Sequence, residues 1–176
     1  MSMAKPHEEH KIKAPKILRF ILYTVSTSRY NAKLKGEVYS DESMDVAVRI
    51  IREKNHEIVG KDVIDDDKEM IAQALIKSVE KDVDVIIFMG GTGLTSRDVT
   101  IEAVRPLLSK EAEGFGEIFR FESYRKIGAA AFLTRAMAGV ISGKAVICLP
   151  GSPNAVELAL KIFLDEFPHL VYLARQ

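Results

Sequence analysis

At 176 residues the chain has the length of one domain, which usually runs about 100–200 residues, and a second sizeable core is not expected. Lys plus Arg and Asp plus Glu number 25 each; the neutral balance lacks the basic surplus that nucleic-acid binding draws on, while small phosphorylated ligands stay open. Hydrophobic residues make up 47% of the chain, enough for a packed core. One cysteine, Cys148, excludes a disulfide framework and a multi-cysteine metal site.

Segment 1–15 is polar and ends at Pro15, so it is expected to be a flexible arm rather than a signal peptide. His7 and His10 within it do not match the helical His-Glu-x-x-His zinc spacing. No stretch approaches the ~18 apolar residues of a membrane helix, and the expected setting is the reducing cytoplasm. Residues 16–25 are nearly continuously apolar, as in a strand covered on both faces. The hydroxyls of Thr24, Ser26, Thr27 and Ser28, with Arg29, read as a turn able to line a crevice, and Lys33 and Lys35 as solvated loop charges.

Met44, Ala47, Val48 and Ile51 mark one face of a helix. A second strand is expected within 56–64, then the acidic turn Asp65-Asp66-Asp67, then a helix through Met70, Ile71, Ala74, Leu75, Ser78 and Val79. Residues 83–89 form a third strand that Gly90 stops. A helix follows from about Val99, and helical pattern occupies 113–137. A fourth strand covers 145–149, with Cys148 as a buried core thiol. Val156, Ala159, Leu160 and Phe163 define the closing helix.

Alternating strands and helices predict an α/β fold: a three-layer α/β/α sandwich with a mostly parallel central sheet, residues 16–176 forming one domain. In such sheets ligands bind beyond the carboxyl ends of the strands. Three strand-to-helix junctions there carry functional residue types. At Gly90-Gly91-Thr92-Gly93, glycines let backbone N–H groups approach an anion, Thr92 adds a hydroxyl, Arg97 can neutralise phosphate and Asp98 can hold magnesium. The alternative is a turn with Asp98 or Thr100 as helix cap. In the acidic turn one aspartate suffices as a cap; two further carboxylates repel unless a cation joins them. At Pro150-Gly151-Ser152-Pro153-Asn154, Ser152 is the expected N-cap and Pro153 the first helical residue, and free N–H groups at such a start also bind phosphate.

Together these loops resemble the MoaB/MogA family, which includes the G domain of gephyrin. The resemblance spans the chain after residue 15 and is carried by GGTGLTSRDVTIEAV (90–104), EGFGEIFR (113–120) and LPGSPNAVELAL (149–160). It implies a molybdopterin adenylyltransferase: magnesium and ATP convert molybdopterin to its AMP-linked form with release of pyrophosphate, and a separate molybdenum-insertion protein acts next. It assigns catalysis and magnesium ligation to Asp66 and Asp98. Substrate and nucleotide binding fall to Ser26, Gly90, Gly91, Thr92, Gly93, Arg97, Glu117, Gly151, Ser152, Pro153 and Asn154. Two departures stand out. Relatives of the MogA type often carry Lys after the loop proline, where this chain has Asn154, a pattern closer to the MoaB branch. Met44 stands after Asp41-Glu42-Ser43, where many members have Gly. The resemblance further implies a homotrimer or a hexamer, no nucleic acid and no membrane. The alternative function is a molybdopterin carrier or scaffold without turnover.

Overall fold

The computed structural model describes residues 12–176; His7 and His10 of the expected arm lie outside them. Strand β1 (Arg19–Val25) leads through α1 (Thr27–Lys35) and α2 (Glu42–Glu53) to β2 (Glu57–Ile64), then α3 (Lys68–Val79) and β3 (Val85–Met89). After these come α4 (Thr100–Val104), β4 (Lys110–Glu111), α5 (Glu113–Ile127), β5 (Met137–Ile141), β6 (Lys144–Leu149), α6 (Pro153–Phe163) and α7 (Phe167–Ala174). The six strands order as β2-β1-β3-β6-β5-β4. The first four run parallel, and β5 and β4 add antiparallel at one edge.

The period-two alternation of strand side chains divides the core into two halves. Phe20, Leu22, Val85, Ile87, Ala145 and Ile147 point to one face, where Ala47 and Ile51 of α2, Phe119 of α5, and Val156 and Leu160 of α6 cover them. Ile21, Tyr23, Ile86, Phe88, Val146 and Cys148 point to the other, under Ile71 and Leu75 of α3 and Ile101 and Val104 of α4. Both faces are covered, which is why these strands read as continuous apolar runs. Edge strand β2 is the exception and carries exposed Lys61 and Asp62, charges that discourage edge-to-edge pairing. Among the described residues no helix is long and apolar enough to cross a membrane.

Two segments differ from the sequence reading. The stretch carrying Lys33 and Lys35 is helical rather than a loop: Ser26 caps α1 and Gly36 ends it at φ 69°. No residue of α1 is buried, so it shows no apolar period. The helical pattern expected over 113–137 breaks at Gly128, whose φ of 68° is a conformation that glycine adopts without penalty. A 3-10 segment, Gly128–Leu133, follows, and then β5. Strand β5 turns back into β6 through Ser142 and Gly143 at φ 47° and 75°, the paired positive values of a tight hairpin.

Candidate functional site

The carboxyl ends of β1, β2, β3 and β6 meet at the glycine loop. Gly90, at φ 113°, donates its N–H to the Leu149 carbonyl at 2.9 Å. A Cβ at Gly90 would fall 2.2 Å from the Val25 carbonyl oxygen. A Cβ at Gly91 would lie 2.3 Å from both Asp66 Oδ1 and Thr100 Oγ1, and one at Gly93 2.7 Å from Asp98 Oδ2. The loop therefore threads between the two aspartates, and only bare backbone fits there. Thr100 braces it, with Oγ1 donating to the Gly90 carbonyl at 2.8 Å and N–H to the Gly91 carbonyl at 2.9 Å. Gly151 packs against Gly90: its Cβ would sit 3.1 Å from the Gly90 Cα. Ser43 on α2 pins this second loop by donating to the Gly151 carbonyl at 2.6 Å.

The acidic turn divides its labour. Asp67 caps α3, accepting the Met70 N–H at 2.7 Å. Asp65 accepts the Thr27 hydroxyl at 2.5 Å and the Asp66 N–H at 2.8 Å. Asp66 takes neither role, and its Oδ1 is buried with no hydrogen-bond partner. Burial, reinforced by the charges of Asp98 and Asp65 and partly offset by the Thr27 N–H, raises its pKa. Asp98 goes the other way. Burial pushes it up, but the Thr95 hydroxyl and N–H, at 2.7 and 2.9 Å, together with the Gly93 N–H and the Arg135 charge, hold it below the ordinary value. Neither Asp98 nor Thr100 caps α4, whose N-cap position is Val99, with no side-chain cap hydrogen bond.

A cavity of about 310 Å³ opens here, lined by Gly91, Thr92, Gly93, Asp98, Pro150 and Gly151, with Leu133, Thr134 and Arg135 opposite. A second, of about 170 Å³, adjoins it across Thr134 and Pro150; Ser152, Asn154, Ser123 and Lys126 line it along with apolar Phe119, Ile127 and Leu158. Ser152 also caps α6, accepting the Ala155 N–H at 3.2 Å, and Pro153 is the first residue of that helix. Ser26 caps α1 and donates its N–H to the Ile64 carbonyl at 3.0 Å, beside the acidic turn. Arg97 is exposed within the loop and Glu117 is exposed on α5; neither lines either cavity.

Sequence pattern alone does not single out Arg135. Its Nε donates to the Thr92 carbonyl at 2.8 Å, while Nη1 and Nη2 reach the two oxygens of Glu102 at 2.5 and 3.3 Å. It thereby ties the glycine loop to α4. The signal for it was the Ser142-Gly143 turn between two apolar runs, which marks a hairpin and so places Thr134 and Arg135 at the entrance to β5. Among the described residues no group of three or more His, Cys, Asp or Glu side chains is placed to hold a metal ion. Magnesium needs none, since it commonly takes one or two carboxylates and completes its shell with phosphate oxygens and water. An orphaned buried carboxylate oxygen on Asp66, with Asp98 across the loop, fits that donor set.

Residues 21–169 match the model of a family described as a probable molybdopterin binding domain. The chain is 43% identical over 167 residues to molybdenum cofactor biosynthesis protein B of Bacillus cereus, covering 93% of this chain and 95% of that one. It is 40% identical over 173 residues to the molybdopterin adenylyltransferase of Pyrococcus furiosus, covering 96% and 98% of the two chains. Among solved structures, the tungsten cofactor synthesizing protein MoaB from Pyrococcus furiosus superposes with a TM-score of 0.82 at 40% identity, covering 93% of this chain and 100% of that one.

Proposed function

The chain belongs to the molybdopterin-binding domain family, and from that premise we propose that it is a molybdopterin adenylyltransferase of molybdenum cofactor biosynthesis. An oxygen of the pterin's terminal phosphate attacks the α-phosphorus of ATP; the new P–O bond links pterin and AMP, the bond to the β-phosphate breaks, and pyrophosphate leaves. The obstacle is mutual repulsion of two polyanions. At an effective dielectric of about 20, two unit charges ~4 Å apart oppose each other by roughly 4 kcal/mol.

Two features of the site address that repulsion. The backbone at Gly90, Gly91, Thr92 and Gly93 lets phosphate oxygens approach, with the N–H groups of Gly91 and Thr92 as fixed donors, while those of Gly90 and Gly93 hold the loop in shape through Leu149 and Asp98. Asp66 and Asp98 would hold magnesium, which supplies charge screening on the transferred phosphoryl group. Ser26, Arg97, Glu117, Gly151, Ser152, Pro153 and Asn154 complete the proposed substrate-binding set. The observation that carries the reading is Asp66 Oδ1, a buried carboxylate oxygen without a partner, kept against the glycine loop at a cost to folding.

The test is to incubate the protein with molybdopterin, ATP and magnesium and follow pyrophosphate. Asp66→Asn and Asp98→Asn are expected to fold normally and release none. Equal release by wild type and both variants would end the assignment, and tight molybdopterin binding by wild type without release would identify a carrier instead. Self-association belongs to the same proposal. Ile118, Phe121 and Phe132 are 48%, 60% and 78% exposed, a set of apolar side chains of the kind that marks interaction sites, and sedimentation is expected to find a trimer or hexamer.

A further inference from the structure

The two adjoining cavities carry an uneven charge. At the glycine-loop end stand Asp98 and, behind Gly91, Asp66. Arg135 lines that end too, but its guanidinium is occupied by the Thr92 carbonyl and by both oxygens of Glu102, so the pair adds no net positive charge. At the other end the polar lining is Ser123, Ser152, Asn154 and Lys126, with Thr134 shared between the two cavities. The Ser123 hydroxyl donates to the Phe119 carbonyl at 2.8 Å, Ser152 caps α6, and Asn154 is neutral. Lys126 is therefore the one cation lining either cavity that has no ion pair within 4.0 Å among the described residues. Its field reaches Glu157, whose carboxylate is held low first by its hydrogen bond from Lys161 and then by charges that include Lys126. Glu157 already pairs with Lys161 at 2.8 Å and Arg49 at 3.8 Å.

The second cavity also has a size and a wall chemistry. At about 170 Å³ it is smaller than the ~300 Å³ at which pockets begin to enclose a whole small molecule. It suits one part of a ligand whose remainder reaches into the larger space beside it. Phe119, Ile127 and Leu158 give it apolar sides, which favour a flat ring. We propose that Lys126 is an anion-binding residue of the substrate site, meeting a phosphate of a ligand whose planar heteroaromatic ring lies against Phe119, Ile127 and Leu158. The inference rests on the adenylyltransferase reading for its ligand class: the pterin and the adenine nucleotide each join such a ring to phosphate.

The competing role for Lys126 is to complement the carbonyl end of α5, where it shares the last turn with Arg125. Arg125 therefore serves as the control, since it gives the same charge at the same helix end, lines neither cavity, and among the described residues pairs with half-buried Glu122 at 3.3 Å and lies over the Phe121 ring. The full chain is titrated with molybdopterin alone, by pterin fluorescence, and separately with magnesium ATP, by calorimetry. Lys126→Gln is expected to weaken one ligand about tenfold, the scale of a charge-assisted contact, and the affected arm identifies the source of the phosphate. Lys126→Arg restores most of the affinity, and Arg125→Gln leaves both within twofold. Unchanged binding of both ligands by Lys126→Gln, or equal losses in Lys126→Gln and Arg125→Gln, overturns the inference. Wild type that binds molybdopterin without releasing pyrophosphate sinks the adenylyltransferase reading and leaves Lys126 to be judged on the binding data. Wild type that binds neither ligand sinks both.

Discussion

At the amino-terminal end of the parallel strands the Arg19 N–H donates to Asp84 Oδ2 at 2.7 Å, Arg175 closes on the other oxygen of Asp84, and Lys144 Nζ donates to the carbonyls of Lys81 and Val83 at 3.0 and 2.9 Å. At the carboxyl-terminal end Thr24 Oγ1, Asp41 Oδ2 and Asp66 Oδ1 are buried with no partner. Both rims belong to one sheet and both carry buried or half-buried aspartates, so the presence of a carboxylate does not separate them. Satisfaction does. Buried polar groups in folded proteins nearly always find partners, because an unmet one costs about 1–3 kcal/mol. The saturated rim is arranged for folding alone, and the unsaturated rim holds back acceptors and donors that a ligand and a cation can meet.

The largest expected effect lies at the unsaturated rim and falls on turnover. Asp66→Asn and Asp98→Asn should each lower the rate of AMP transfer by on the order of 10³, about 4 kcal/mol of transition-state stabilisation, with thermal unfolding showing no loss of fold. Next is Gly90→Ala, where positive φ and a contact with the Val25 carbonyl act together. It should cost about 2–4 kcal/mol, a fall of roughly 5–15 °C in Tm for a chain of this size. Asp84→Ala at the saturated rim should cost about 1–3 kcal/mol by stranding the Arg19 N–H, yet leave molybdopterin binding at the wild-type level. If Asp66→Asn destabilised the protein as much as Asp84→Ala, the contrast between the rims would be broken.

How much of this was legible in the sequence follows the range of the interactions. The buried strands and the helices α2, α3 and α6 announce themselves by local apolar pattern; Ser152 and Asp67 act as caps through bonds three residues long, and Pro153 opens α6 directly after its cap. The polar helix α1 has no buried side chain to set a period, although its stop at Gly36 was written locally. Strands β4 and β5 escaped because β4 is two residues held only by its pairing with β5, and because 113–137 keeps a helical spacing across Gly128 that gives no sign of φ. At the site, the three loops could be named individually. That a Cβ on Gly91 would touch Asp66, or that Arg135 joins Thr92 to Glu102, depends on strands distant in sequence becoming neighbours in the sheet.

The smallest effect is the dependence of stability on pH, where the two rims carry opposite signs. At the saturated rim His56 accepts the Leu18 N–H at Nδ1, 3.1 Å away, and burial lowers its pKa from 6.5, with Asp165 opposing and Lys54 assisting. The folded protein thus keeps His56 neutral while the unfolded chain takes up a proton below pH 6.5, so stability is present above that value and declines as pH falls through it. Asp66 is shifted upward by burial and by Asp98, so its contribution is present at low pH and is lost as pH rises from the ordinary carboxylate value of 3.8 through the folded one. In EDTA, thermal unfolding of His56→Gln should therefore lose the decline of wild type below pH 6.5. Asp66→Asn should melt above wild type at neutral pH, with the gap narrowing as the buffer approaches pH 3.8. The two residues flank β1 at opposite ends, roughly 20 Å apart for a strand of this length, which is beyond the range at which substitutions usually couple. The double variant should show the sum of the two pH profiles; a profile that departs from the sum would mean that charge at one rim is felt at the other, and the division of labour along the sheet would be weaker than the hydrogen bonds indicate.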